Sequence, residues 1–313
     1  MRIDQLIAAS AEPVFSFEFF PPKTEEGERN LFGALAALRE LEPAFVSVTW
    51  GAGGSTRAKT LEIVSRIRAD HDLEAMAHFT CVGASVPELH SALAQMADAG
   101  LSNVLALRGD PPRGEAAFVP HPDGLRHAGE LVTLVREHYD FCIVGACYPE
   151  THPEASDAAS DLERVCEKVQ AGAQVLITNL FFENEVYFDF VQRARAAGVE
   201  VPIIPGIMPI TNVAQIERIS GLSGATIPAT LVAELRARAH QPEAVLELGV
   251  AWATLQCAEL LEYGAPGVHF YTLNRSPATR AILAALRLTR PWERQGRDSI
   301  SRPWASIGRP SSS

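Results

Sequence analysis

The chain of 313 residues reads as a single (β/α)8 barrel, α/β in class, and three observations carry that reading. Short runs rich in Val, Ile, Phe and Thr recur along it, and each is followed by a longer stretch with apolar residues at helical spacing. Eight such units can be counted, beginning with the strands at Val14, Phe45, Ala75, Asn103, Phe141, Val175, Pro202 and Gly267. Polar side chains gather at the carboxyl ends of these strands, which is where a parallel barrel builds its active site.

The helices follow in order. Apolar spacing predicts them over Glu25 to Leu41, Arg57 to Ala69, Pro87 to Ala99, Leu125 to His138, Asp157 to Ala171, Glu185 to Ala197, Val213 to Ser220 and Pro277 to Leu288. Gly100, Gly172 and Gly198 stand just past helix ends, where a left-handed residue turns the chain back toward the next strand. Between the seventh and eighth strands the chain carries extra helical patterns at Pro228 to Arg238 and Pro242 to Tyr263, placed to cover a ligand. These features define one catalytic domain over 1–289, followed by a tail over 290–313 that is rich in Arg, Pro and Ser, lacks periodicity and is expected to be disordered.

Composition narrows the function. With 47% hydrophobic and 21% charged residues the chain can build a large core, and a net charge of −11 argues against a nucleic-acid surface. The five cysteines form no C-x-x-C pair, so neither a zinc ribbon nor a disulfide framework is indicated. The first residues lack a secretory pattern, and the longest uncharged run, Val201 to Ile216, holds Pro202, Pro205 and Pro209, which a membrane-spanning helix would not accept. A cytoplasmic location and no membrane partner are expected.

The strand ends supply Glu18, Thr49, His78, Arg108 with Asp110, Tyr148 with His152, Asn179, and Tyr271 with Arg275. Buried polar groups need partners to offset desolvation, so a ring of them on apolar strands points to a site. Glu18 sits in the aromatic run FEFFPP, where burial is expected to raise its pKa and make it a general acid near neutrality. The LRGDPP segment from Leu107 places a cation, Gly109 and a carboxylate on one strand end, which either a site or a surface ion pair would explain. In WGAGGST, the glycines Gly51, Gly53 and Gly54 suit either an anion cradle or a tight turn. His78, His152, Asp110 and Glu18 could also hold a metal in a barrel lyase or hydrolase, although no H-x-H or H-E-x-x-H spacing supports it.

Taken in order, SFEFFPPKT, FVSVTWGAGGST, HFTC, LRGDPP, YPETHPEA, the D-x6-K of Asp161 and Lys168, IPGIMPITN and HFYTLNR resemble the motifs of the methylenetetrahydrofolate reductases in their short form without a regulatory domain. The resemblance runs from Phe15 to about Leu288. It implies non-covalent FAD bound without a Rossmann fold, and ping-pong hydride transfer from NADH or NADPH to methylenetetrahydrofolate, giving methyltetrahydrofolate for one-carbon metabolism and methionine synthesis. By motif, Thr49, His78, Leu107, Arg108, Gly109, Asp110, Ala146, Tyr148, His152, Asp161 and Lys168 would line the FAD site, with Arg108 and Lys168 toward its phosphates. Glu18, Asn179, Gln215, Tyr271 and Arg275 would contact the folate together with Asp110; Glu18 would be the proton donor and Asp110 an anion stabilising the developing cation. Small-molecule substrates and a homo-oligomer are the implied partners, with no resident metal. One position departs from the family: Asn179 follows Ile-Thr where the family has Gln, which leaves a weakly active or non-catalytic flavin- and folate-binding barrel as an alternative.

Overall fold

The computed structural model describes residues 1–50, 56–110 and 118–294. The glycines of WGAGGST, Pro111 and Pro112 of LRGDPP, and the tail from 295 onward lie outside the described residues. Eight strands close into one parallel barrel in sequence order. They are β1 (Val14–Phe19), β2 (Phe45–Val48), β3 (Ala75–Thr80), β4 (Asn103–Leu107), β5 (Cys142–Cys147), β6 (Val175–Leu180), β7 (Ile203–Ile207) and β8 (Gly267–Tyr271). Helices α2 (Glu25–Arg39), α3 (Arg57–His71), α4 (Val86–Asp98), α5 (Ala128–His138), α6 (Ala158–Ala171), α7 (Asn184–Ala196) and α8 (Val213–Ser223) follow the first seven strands, and α11 (Pro277–Thr289) follows the last. The expected extra helices are α9 (Ala229–Ala237) and α10 (Pro242–Glu262). Gly100, Gly172 and Gly198 have φ of 70°, 125° and 84°, so the turn each was expected to make is the turn it makes.

Strand alternation sorts the barrel into two environments. On β1, Phe15, Phe17 and Phe19 point outward into the main core under the helices, whereas Val14, Ser16 and Glu18 face the barrel axis. A second apolar cluster fills the lower interior with Val14, Phe45, Met76, Leu105, Cys142, Val144, Val175, Ile177 and Ile204. Ile3 and Ile7 of an N-terminal helix, α1 (Ile3–Ala9), belong to the same cluster and cap the bottom of the barrel. The backbone amide of Ile3 donates to the side-chain oxygen of buried Asn103 at 2.8 Å, which fixes that plug to β4. With the lower mouth filled by apolar side chains, polar groups facing the axis have only the upper, carboxyl end to open onto.

The β6–β7 ladder is irregular between Ile177 and Leu180, and there the Thr178 hydroxyl accepts the Gly206 N–H at 2.9 Å. Such a bulge re-aims side chains at the rim. Helix α10 is long and apolar enough, by length and composition, to cross a bilayer, and in this fold Leu260 and Leu261 near its end are buried in the main core. The folded chain continues past residue 289, because Pro291–Glu293 form a 3-10 turn with Pro291 buried and the Trp292 ring 6.0 Å from that of Phe15.

Candidate active site

Glu18 projects from β1 into the upper barrel and is 5% exposed. Its Oε2 lies 3.2 Å from His78 Nε2 and 3.8 Å from His269 Nε2. His269 in turn has Ser16 Oγ 2.7 Å from Nδ1 and Ser47 Oγ 3.4 Å from Nε2, so a neutral ring accepts a hydrogen bond from the Ser16 hydroxyl at Nδ1 and directs its own N–H toward Ser47 and Glu18. All of these residues lie on the axis-facing rows of β1, β2, β3 and β8.

The expectation that burial makes Glu18 an acid near neutrality does not hold in this structure. Burial does push its pKa up, but the imidazoles of His269 and His78 outweigh burial and hold the carboxyl at about 2. Burial also lowers the pKa of His269, which is therefore the neutral partner at pH 7. Neither contact is a well-formed hydrogen bond: the His269 distance is too long, and His78 Nε2 is buried without a hydrogen-bond partner despite its closeness.

Above this cluster opens a cavity of about 1300 Å³, larger than most small-molecule sites. Its lining includes Thr49, His78, Leu107, Arg108, Gly109, Asp110, Ala146, Tyr148, His152, Asp161 and Lys168, so residues from β3, β4 and β5, from the loops after β2, β4 and β5 and from helix α6 share one cavity. Gly109 has φ of 89°, and a Cβ there would sit 2.5 Å from Val82, so only glycine lets the chain turn from Arg108 to Asp110 at this point. Burial lowers the pKa of Lys168, whose ammonium donates to the Ala146 carbonyl. Asp161 accepts the His152 backbone N–H at 2.9 Å, and the His152 ring meets Tyr148 edge-on at 4.6 Å. Burial raises the Tyr148 phenol to about 12, so it stays a neutral donor.

The remaining sequence candidates separate. Tyr271 pairs in register with Glu18 across the β1–β8 seam, and its hydroxyl donates to the Thr178 carbonyl at 2.6 Å. With exposed Arg275 it lines a second cavity of about 240 Å³ at the ends of β7 and β8, closed by Pro242, Glu243 and Leu246 of α10. Asn179 lies in the irregular stretch of β6, its Nδ2 donates to the Ser223 carbonyl at 3.1 Å, and it lines neither cavity. Gln215 is exposed on the first turn of α8, where its backbone N–H meets the capping oxygen of Asn212 at 2.8 Å, and it too lies off both cavities. Among the described residues, no three His, Cys, Asp or Glu side chains are grouped to hold a metal ion.

Sequence reasoning passed over several residues that the fold brings here. His269 was readable from its two-residue spacing to Tyr271 on one strand, and Ser16 from the same spacing to Glu18. Trp50 Nε1 and Thr80 Oγ1 are buried on the large cavity's wall without a hydrogen-bond partner, as His78 Nε2 is, and such atoms suit a polar ligand. Asn274, with φ of 58°, clasps Phe20 through both backbone groups at 2.8 Å each and ties the end of β1 to the loop carrying Arg275.

The volume, the unsatisfied polar atoms and the cations Lys23, Arg108, Arg164 and Lys168 in the lining are compatible with a flavin dinucleotide. Comparison with known proteins gives the family. The family model described as methylenetetrahydrofolate reductase matches residues 2–287. The 5,10-methylenetetrahydrofolate reductase of Escherichia coli is 39% identical over 271 residues, covering 87% of this chain and 90% of that protein. Methylenetetrahydrofolate reductase (NADH) 1 of Arabidopsis thaliana is 40% identical over 309 residues, covering 95% of this chain and 52% of that one, so the chain spans about half the length of its plant relatives. A Clostridium thermocellum protein whose structure binds two copies of 5-methyl-5,6,7,8-tetrahydrofolic acid superposes with a TM-score of 0.61 at 19% identity, over 90% of this chain and 96% of that one, a likeness of fold. On this match the chain belongs to the methylenetetrahydrofolate reductase family.

Proposed function

We propose that the protein reduces 5,10-methylenetetrahydrofolate to 5-methyltetrahydrofolate, using non-covalently bound FAD and a reduced nicotinamide. The observation that supports the reading is the single cavity that gathers all eleven residues expected at the flavin from their motifs. The names of the plant relatives favour NADH over NADPH as donor. A cytoplasmic homo-oligomer acting on small molecules belongs to the same proposal and rests on composition and family.

A bound flavin supplies the capacity to accept a hydride from the nicotinamide and to return it to the folate, in alternation at one pocket. The protein's own groups divide the remaining work. Arg108 and Lys168, both in the cavity lining, would hold the anionic part of the dinucleotide. Asp110 sets a negative charge at the end of β4, where a cationic folate would be stabilised. Glu18 delivers the proton that opens the folate's five-membered ring, directly or through water. In the ligand-free protein His269 and His78 hold that carboxyl low, so Glu18 must take up a proton on substrate binding before it can donate one.

The test is the visible spectrum of the purified protein. A flavin spectrum that NADH bleaches without oxygen, and that methylenetetrahydrofolate restores, is expected. Absence of flavin after saturation with FAD, with no change in melting temperature, would refute the reading, because a native-state ligand must stabilise.

A further inference from the structure

We propose that Glu154 is a displaceable latch on the dinucleotide site, its carboxylate holding the Arg108 guanidinium until an anionic group of the ligand takes that place. The proposal rests on the flavin reading above. Arg108 Nη1 lies 2.5 Å from Glu154 Oε2 and Nη2 lies 2.8 Å from Oε1, a two-pronged pair between the end of β4 and the loop after β5. The guanidinium also lies 4.8 Å from the ring centre of Phe118. Both charged residues line the large cavity. A guanidinium fork matches a carboxylate and a phosphate equally well, so the two compete for the same donors.

Three features make the carboxylate the partner that leaves. The Glu154 side chain is 55% exposed and that of Arg108 22%, so the former can turn into water at little cost. The turn that carries Glu154 is held by other bonds: the N–H of Glu154 to His152 Nδ1 at 3.1 Å, the N–H of Ala155 to the His152 carbonyl at 2.9 Å, and the N–H of His152 to Asp161 at 2.9 Å. Breaking the ion pair therefore leaves the loop in place. Phe118 gives Arg108 an aromatic neighbour that persists when Glu154 departs.

The experiment titrates FAD into flavin-stripped protein and follows fluorescence quenching for wild type, Glu154→Gln and Glu154→Asp. Glu154→Gln keeps the shape but removes the competing charge, so its dissociation constant should fall about fivefold, the size of a partly exposed ion pair. Glu154→Asp keeps the charge and should stay closer to wild type. The difference should shrink in high salt. Unchanged or weaker binding by Glu154→Gln overturns the latch, since a structural lesion would loosen the site, not tighten it. If neither wild type nor variant binds FAD, the flavin reading has failed, and inorganic diphosphate tests the latch alone: a larger rise in melting temperature for Glu154→Gln supports it, and an equal rise or none overturns it. Should Glu154→Gln lose its ligand-free melting transition, Glu154→Ser carries the same test.

Discussion

Glu18 on β1 and His78 on β3 meet across the intervening strand, Oε2 to Nε2 at 3.2 Å, on the floor of the cavity that the other strand ends enclose. His78 lines that cavity while Glu18 lies behind it, beside an imidazole whose Nε2 has no hydrogen-bond partner. This arrangement separates the carboxylate from the residues expected to hold a dinucleotide, and the two halves of the proposed reaction should respond differently to mutation.

Glu18→Gln should leave flavin reduction by NADH within about twofold while slowing the folate half-reaction roughly 10²- to 10⁴-fold, the usual worth of a general acid. Stopped-flow absorbance of each half-reaction measures this. Equal losses in both would mean that Glu18 shapes the pocket and donates no proton.

The acid limb of stability should carry the signature of the same cluster. Glu18 has a lowered folded-state pKa of about 2 against an ordinary 4.5, so its contribution is present above 4.5 and is lost as pH falls from there toward 2. His269, lowered below its ordinary 6.5 by burial, adds a loss that begins as pH falls through 6.5, because the unfolded chain then binds a proton that the native chain refuses. Urea unfolding at pH 7, 5.5, 4 and 3 should show Glu18→Gln losing less stability than wild type below about 4.5. Parallel curves across that window would sink the assignment.

Gly206→Ala should disturb Tyr271 from beneath. A Cβ at Gly206 would stand 2.3 Å from the Thr178 carbonyl and 2.7 Å from the Tyr271 hydroxyl, the two atoms that bond at 2.6 Å. A destabilisation of about 1–3 kcal/mol and a raised Michaelis constant for folate are expected, with FAD affinity held. Thermal melts and steady-state kinetics decide; a normal folate constant would remove Tyr271 from the substrate site.

Asn179→Gln tests the one strand-end departure from the family. Asparagine reaches one methylene less far than glutamine and here spends a donor on the Ser223 carbonyl. The longer amide should lower the folate Michaelis constant several-fold and leave the nicotinamide half-reaction unchanged, because a water-bridged contact at asparagine would become a direct one. A higher folate constant would show that the pocket is built around Asn179 and its bond to Ser223.

The sequence by itself determined the barrel, because two-residue and 3.6-residue periods, glycine stops and strand-end polar residues are local signals that survive without neighbours. Its motifs also named eleven of the residues that line the large cavity, most of them at or just past strand ends, because in a parallel barrel every strand ends on the same face. The short helix α1 escaped notice because seven residues give little periodicity, and its role follows from the mouth of the barrel that Ile3 and Ile7 fill. Only the tertiary structure decided the charge state of Glu18: an aromatic setting in sequence argues for a raised pKa, but His269 stands 251 positions away in the chain and touches it only once β8 closes against β1. It likewise decided that Arg108 is already paired with Glu154, that Tyr271 and Arg275 open onto a separate cavity, and that Asn179 turns to Ser223. Each of these depends on distances of a few ångströms between strand ends and loops, which no spacing along the chain encodes.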